Sequence, residues 1–371
     1  MAEAAKILIV DDSRVFRSIL EKLISTIPGV QVIGTVDSGM AAIEFLRMRA
    51  VDLMTLDVEM PQMDGLETLK SILANKKELK AVPEILMVSS LTRTGSDITL
   101  KALELGAFDF IAKPAPEVPN SQESLNRMLH AAIGTWLSRR SRGIAHTSSP
   151  RLAAMGSKPS ADQTFTYTLA KPSAHTKPVM AIVIGISTGG PKSLAEMLPK
   201  LCTMTTLPIL LVQHMPPNFT KSLADSLDLK CEHKVIEGTP GTVVQDKTVY
   251  IAPGGCHMVV KTRGAEFVLE NNQDPPENGC RPSVDVLFRS AAQAFPPDSL
   301  VGVVLTGMGN DGTPSLPHLK NKNAYLIAQD EDTSVVFGMP RAAAATGLLD
   351  KVAPLIRIPE AIIERINMSK K

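Results

Sequence analysis

Short apolar runs alternate with amphipathic stretches along the first 140 or so residues. Five runs predict buried strands: Ile7-Leu8-Ile9-Val10, Val30-Gln31-Val32-Ile33, Leu53-Met54-Thr55-Leu56, Ile85-Leu86-Met87-Val88 and Phe108-Asp109-Phe110-Ile111. Between them, segments such as Arg14 to Ile27 and Gly39 to Arg49 carry helical spacing, and a further helix is expected from about Ser121 to Arg140. Alternation of this kind argues for a parallel sheet covered by helices on both faces, and five strands in so short a span suit a flavodoxin-like, doubly wound domain. The periodicity then disappears. Ser141 to Pro178 is rich in Ser, Pro, Thr, Ala and Lys and reads as a flexible, basic linker. From Val179 the alternation resumes, with strand candidates Val179 to Ile186, Ile209 to Gln213, Thr248 to Ala252, Phe267 to Leu269, Val301 to Leu305 and Tyr325 to Ala328. The expectation is a second doubly wound α/β domain, with boundaries at 1–125 for the first domain, 126–177 for helix end and linker, and 178–371 for the second.

Composition narrows the classes. With 371 residues, 44% hydrophobic and 21% charged, the chain can bury two cores, and with 4% aromatics these are built mainly from aliphatic residues and Met. A formal net charge of +1 gives no electrostatic case for nucleic acid or an anionic membrane as the main partner. The first residues enter a strand pattern directly, with no charged-then-apolar signal region. The longest apolar runs fall short of the roughly 18 residues that span a bilayer. A cytoplasmic protein that does not insert into membranes is expected. Cys202, Cys231, Cys256 and Cys280 form no Cys-x-x-Cys pair, so free thiols are the default, and zinc would need a tighter His/Cys cluster.

Candidate chemistry sits at the ends of the strands. Asp11 and Asp12 follow the first apolar run and Asp57 closes the third, which places all three at the carboxyl edge of a doubly wound sheet. Three converging carboxylates call for a hard divalent cation such as Mg²⁺. Ser89 follows the fourth strand and Lys113 the fifth, where Lys113-Pro114 begins a turn. A hydroxyl and an ammonium there suit the oxygens of a phosphoryl group, with Asp57 as its acceptor and Asp11 and Asp12 as metal ligands. A lone Asp after a strand is often only a helix cap. Matching groups after four of the five runs weigh against that reading.

These residues resemble the signature of response-regulator receiver domains, over residues 5 to about 125. The resemblance implies phosphorylation of Asp57 by a partner histidine kinase with Mg²⁺, and it puts Ser89 and Phe110 at the positions that change state.

In the second half, Gly185-Ile186-Ser187-Thr188-Gly189-Gly190 follows the strongest apolar run and precedes a helical stretch. It lacks the Gly-Lys-Ser/Thr ending of a phosphate loop and the spacing of a dinucleotide fingerprint, but suits an exposed nucleophilic serine. Such a serine needs a base and an orienting acid. His214 follows the strand Ile209 to Gln213, and Asp311 lies in the Gly-rich loop after Val301 to Leu305, so all three share one predicted sheet edge. His214 would take the Ser187 proton and Asp311 would hold the imidazole. The Met308 N–H is the candidate oxyanion donor and Thr188 an orienting residue. An α/β-hydrolase would place the acid before the histidine, so that fold is excluded. His257 is the second choice of base; His233 and His318 read as packing or surface residues, and Asp285 as a helix N-terminal acid beside an Arg281 loop that contacts substrate.

The motifs Gly-x-Ser-Thr-Gly-Gly, Gln213-His214-Met215-Pro216, Ala-Pro-Gly-Gly-x-His-Met, Arg-Pro-Ser-Val-Asp and Thr-Gly-Met-Gly-x-Asp-Gly together resemble the chemotaxis protein-glutamate methylesterase family, over residues 180 to about 365. The resemblance implies hydrolysis of glutamyl methyl esters on methyl-accepting chemotaxis receptors, with release of methanol and deamidation of particular receptor glutamines. It implies no metal for the esterase reaction. The competing class is a response regulator whose second domain only binds a partner. Control by phosphorylation suggests that the receiver covers the Ser187 edge and that phospho-Asp57 loosens it.

Overall fold

The computed structural model describes residues 3–113, 121–141, 167–171 and 173–369. The turn expected at Pro114 and the linker over 142–166 lie outside the described residues. The first sheet has five strands, β1 (Ala5–Val10), β2 (Val30–Val36), β3 (Leu53–Asp57), β4 (Glu84–Ser89) and β5 (Asp109–Ala112), all parallel in the order β2-β1-β3-β4-β5. Helices α1 (Arg14–Ile24), α2 (Gly39–Met48), α3 (Gly65–Ala74) and α4 (Arg93–Leu105) return the chain between strands. Their starts follow local chemistry. Ser13, Ser38, Asp64 and Thr92 each accept an N–H of the first turn, and Asp64 with Glu67 closes a reciprocal capping box.

Helix α5 (Ser121–Ser141) is one continuous element. Leu125, Leu129, Ala132, Ile133 and Trp136 bury one face of it against Ile7, Ile9 and Leu20. A boundary drawn at 125 therefore cuts a helix that packs on the first sheet along most of its length.

The second sheet has seven parallel strands. Its centre is β6 (Ala181–Ile186), followed by α6 (Gly190–Met204), β7 (Ile209–Gln213), α7 (Phe219–Asp228), β8 (Lys234–Glu237) and β9 (Thr248–Ile251). A separate antiparallel ribbon follows, β10 (His257–Arg263) with β11 (Glu266–Asn272); the strand expected at Phe267 to Leu269 belongs to this ribbon rather than to the main sheet. Then come α8 (Val284–Ala294), β12 (Leu300–Val304), α9 (Leu316–Asn321), β13 (Tyr325–Gln329), α10 (Met339–Ala345), β14 (Lys351–Ala353) and α11 (Ile358–Met368). The order β14-β13-β12-β6-β7-β9-β8 reverses direction at β6, between β12 and β7. Ligands of open α/β sheets bind at such a reversal, outside the carboxyl ends of the strands.

The described end of the expected linker is packed, not free. Ala170 N–H donates to Leu349 O at 2.7 Å. His175 is buried with its Nδ1 2.6 Å from Asp298 Oδ1, and the Thr176 and Lys177 N–H groups reach Asp298 Oδ2 at 2.7 and 2.9 Å. The wholly buried Arg365 completes this knot at 2.9 Å from Asp298 Oδ1. Among the described residues no helix is long and apolar enough to cross a membrane.

The two sheets meet through α4, which packs on α6 and α7. Ser96 and Ser222 share a buried hydrogen bond of 2.9 Å, Asn218 Nδ2 donates to Leu91 O at 2.8 Å, and Ser226 Oγ donates to Glu104 at 2.7 Å. Phe110 of β5 stacks on Phe219 at the start of α7, with ring centroids 4.6 Å apart.

Candidate active site

At the edge of the first sheet, Asp11 and Asp57 are buried and Asp12 is exposed, yet the three offer carboxylate oxygens within 4.8 Å of one another. Lys113 Nζ lies 2.8 Å from Asp11 Oδ2 and 2.7 Å from Asp57 Oδ2. Burial lifts the Asp57 carboxyl to about 6; Lys113 and the Glu59 N–H oppose this, and the Asp11 charge adds to it. The same carboxylates keep the Lys113 ammonium charged against its own burial. An all-oxygen donor set with excess negative charge fits a hard divalent cation. Ser89 is fully buried and donates to Ser90 O at 3.2 Å, beside this pocket.

At the edge of the second sheet, Ser187 sits on the turn between β6 and α6. Its N–H donates to Thr306 O at 2.9 Å, and Gly189 takes a left-handed φ of 75° to cap the helix. Gln213, at the end of β7, is 2% exposed, and its Nε2 donates both to Ser187 O at 2.9 Å and to His214 O at 3.3 Å. One side-chain amide therefore fixes the backbone of both residues. A Cβ at Gly190 would fall 1.7 Å from Gln213 Oε1, so glycine is required there.

His214 Nε2 lies 2.7 Å from Asp311 Oδ2. Asp311 lies at the N-terminus of α8 and accepts the Val284 N–H at 2.7 Å, the Asp285 N–H at 3.1 Å, the Ser283 hydroxyl at 2.8 Å and Asn278 Nδ2 at 3.0 Å. Burial works against its ionisation, but His214, those N–H groups and Ser283 outweigh it and hold the carboxyl well below the usual range. Burial likewise disfavours the imidazolium of His214, yet Asp311 and the Cys280 thiol lift its pKa to about 9. With Nε2 given to Asp311, Nδ1 is the nitrogen that remains. Among the described residues no hydrogen bond joins the Ser187 hydroxyl to it.

Met308 and Thr188 face the same cleft, a space of about 200 Å³ that Ser187, Gln213, His214 and Pro216 also line. The Met308 loop passes directly over Ser187, since a Cβ at Gly307 would come within 2.7 Å of Ser187 Cβ. The opposite wall is the receiver: Asp109, Phe110, Ile111, Met128, Ala131 and Ala132. Burial raises Asp109 to about 6, with the Phe110 N–H and the Thr188 hydroxyl pulling the other way.

His257, the second-choice base, is wholly buried and serves as a brace, its Nδ1 accepting the Ser283 N–H and its Nε2 3.2 Å from Pro275 O. Asp285 lies in the first turn of α8 and accepts the Ser315 N–H at 2.8 Å, which pins the loop that carries Asp311. Arg281 Nη1 donates to Gln273 O and Asp274 O. His233 is buried, and His318 belongs to α9. Sequence reasoning gave no role to Ser283, Asn278, Cys280 and Asp109; the first three approach from a loop after β11, and Asp109 from the other domain.

A receiver-type sheet joined to a parallel α/β domain, with Ser, His and Asp at one switch point, defines the class: a response regulator with a hydrolase as its output. Known proteins show the same division. The response regulator receiver domain matches residues 7–120, and the CheB methylesterase family matches residues 182–362. The protein-glutamate methylesterase/protein-glutamine glutaminase of Desulfotalea psychrophila is 42% identical over 369 residues, covering 98% of this chain and 99% of the relative. That of Pyrococcus horikoshii is 39% identical, covering 99% and 95%. The solved catalytic domain of Thermotoga maritima CheB methylesterase is 41% identical, covers 50% of this chain and 98% of that one, and superposes with a TM-score of 0.49. The chain belongs to the CheB methylesterase family.

Proposed function

We propose that this chain hydrolyses glutamyl methyl esters of methyl-accepting chemotaxis receptors, releases methanol, and deamidates receptor glutamines by the same route. The observation that carries the reading is the 2.7 Å contact of His214 with a deeply ionised Asp311, in a cleft that Ser187 also lines. Ser187 Oγ attacks the ester carbonyl while His214 Nδ1 takes its proton, and that proton then leaves with methoxide as methanol. Water, activated by the same nitrogen, hydrolyses the acyl-enzyme and leaves a free carboxylate. Asp311 holds the proton on Nε2 and stabilises the imidazolium. The Met308 N–H receives the developing oxyanion, and Thr188 orients the loop.

Control runs through the first domain, which we take as residues 3–141, with 167–369 as the hydrolase. Asp57 accepts the phosphoryl group from a histidine kinase; Asp11, Asp12 and Asp57 would hold Mg²⁺, which would supply charge neutralisation on the transferring group. Lys113, in contact with both Asp11 and Asp57, adds its own positive charge there. Ser89 and Phe110 respond to the phosphoryl group, and Phe110 is the ring stacked on Phe219. A change of state at Phe110 thus acts on the interface that walls the Ser187 cleft. A second domain that only binds a partner has no use for an imidazole held by a buried, ionised carboxylate in the cleft that a serine lines.

The test is methanol release from methylated receptor membranes. Ser187→Ala is expected to lose it by at least a thousandfold while folding normally. Full activity in that variant removes the proposed nucleophile.

A further inference from the structure

The base nitrogen of His214 has an unassigned neighbour. Cys280 Sγ lies 3.6 Å from His214 Nδ1, and its other contact is a weak donation to Asn278 O at 3.7 Å. His214, Cys280 and Asp311 can each offer a ligand atom within 4.8 Å of the others. Asp311 is not free to be one of them, because its oxygens already accept His214, Ser283, Asn278 and backbone N–H groups. What remains is a thiol and an imidazole nitrogen, both half-buried.

The 3.6 Å spacing is that of a thiol–imidazole hydrogen bond, and it also suits a bridging metal ion. Zinc–sulfur and zinc–nitrogen bonds of about 2.3 and 2.05 Å at a tetrahedral angle put sulfur and nitrogen about 3.6 Å apart. The far side of the imidazole also fits, since a metal-ligating histidine ordinarily donates its second N–H to a carboxylate. Asp311 already accepts there. The thiol is fixed rather than loose. Glu277 and Cys280 exchange backbone hydrogen bonds of 3.1 and 2.9 Å, and the Glu277 carboxylate is clamped by both terminal nitrogens of Arg289 on α8.

We propose that His214 Nδ1 and Cys280 Sγ form a two-ligand site for a thiophilic divalent cation of the zinc class, and that its binding stops hydrolysis by occupying the base nitrogen. The thiol gives its proton to solvent as the Cys280–metal bond forms, the imidazolium likewise releases its Nδ1 proton to solvent as the nitrogen–metal bond forms, and water fills the remaining positions of the cation. The proposal rests on His214 acting as the base through Nδ1. The metal and the Ser187 proton then compete for one lone pair, so the hydrolase carries its own inhibitory site.

The experiment uses the full chain with excess Mg²⁺, so that the oxygen site of the receiver is filled, and a phosphodonor. Methanol release is followed as Zn²⁺ is added, each protein being compared with its own zinc-free rate. Wild type should lose at least tenfold at a concentration that leaves Cys280→Ala and Cys280→Ser within twofold, and a chelator should restore it. Cys231→Ala should remain as sensitive as wild type. Co²⁺ in place of Zn²⁺ gives a second readout that needs no turnover: a thiolate-to-cobalt charge-transfer absorption present in wild type and lost in Cys280→Ser. Equal zinc sensitivity in wild type and both Cys280 variants, or cobalt absorption undiminished in Cys280→Ser, overturns the proposal. A missing zinc-free rate in wild type would count against the hydrolase reading instead, and the cobalt absorption would still decide the metal site.

Discussion

Asp57 and Asp311 are both buried aspartates at the carboxyl edge of a parallel sheet, yet their surroundings drive them in opposite directions. Asp57 faces Asp11 and a single ammonium, and its carboxyl is lifted to about 6. Asp311 faces an imidazole, a hydroxyl, a side-chain amide and the N-terminus of α8, and its carboxyl is held far down. Burial is equal in kind at the two sites, so the number of donors aimed at each carboxylate decides the outcome. The receiver pocket is short of positive charge, which is the condition for taking up a cation and a phosphoryl group. In the hydrolase pocket the donors around Asp311 already balance its carboxylate. Its negative charge is committed to keeping a proton on one nitrogen of His214.

The largest effect that would break this comparison is at Asp311. Asp311→Asn should lower the rate of methanol release by about 10⁴-fold, because the amide cannot hold the imidazole in the same tautomer. The pH profile sharpens the point. Only neutral His214 can take a proton, so the wild-type rate should rise with pH and level off near 9. In Asp311→Asn the residual rate should level off lower, toward the ordinary histidine value of about 6.5. A plateau unmoved by the substitution would separate Asp311 from the base.

A smaller effect is expected where the two regions touch. Phe219→Ala removes the stacking partner of Phe110 and should raise the unphosphorylated rate several-fold, toward the phosphodonor-stimulated level. An unchanged basal rate would mean that the stack does not hold the cleft covered.

A separate effect is on stability, and it has opposite signs at the two aspartates. The folded pKa of Asp57 is raised, so the protonated form favours folding, and stability is lost as pH rises through about 6. Asp57→Asn should therefore stabilise the receiver at pH 7 without Mg²⁺, by about 1–2 kcal/mol. The folded pKa of Asp311 is lowered, so its contribution is present above about 4 and fades as pH falls. Asp311→Asn should cost roughly 3 kcal/mol, the lower end for one partner removed from a buried pair. Thermal melts in chelator at pH 7 check both signs.

The two regions also differ in how far they could be read from the chain. Asp11, Asp12, Asp57, Ser89 and Lys113 follow apolar runs one by one, so strand order alone brings them to one edge. Ser187 and His214 follow adjacent strands in the same way. Asp311 is placed by its loop, but its donors are not local: Asn278 and Ser283 arrive about thirty residues earlier in the chain, from a loop without periodicity. Neither the choice of Nε2 for Asp311 nor the thiol beside Nδ1 leaves a mark in spacing. Edge strands β8 and β14 were illegible because they have only four and three residues, with charged ends on β8 and too few apolar positions on β14. The packed end of the linker left no such mark, because His175 is held by Asp298, itself bound to Arg365, both from distant segments. The Asp109 wall of the cleft depends on how the two domains meet, which no local pattern encodes.

The central claim is that the receiver governs hydrolysis at the Ser187 edge, and its most direct test is methanol release by the full chain with and without a small-molecule phosphodonor, with Asp57→Ala alongside. The account predicts a low basal rate in both proteins and stimulation in wild type alone. Equal rates with and without phosphodonor in wild type, or stimulation that survives in Asp57→Ala, would contradict it.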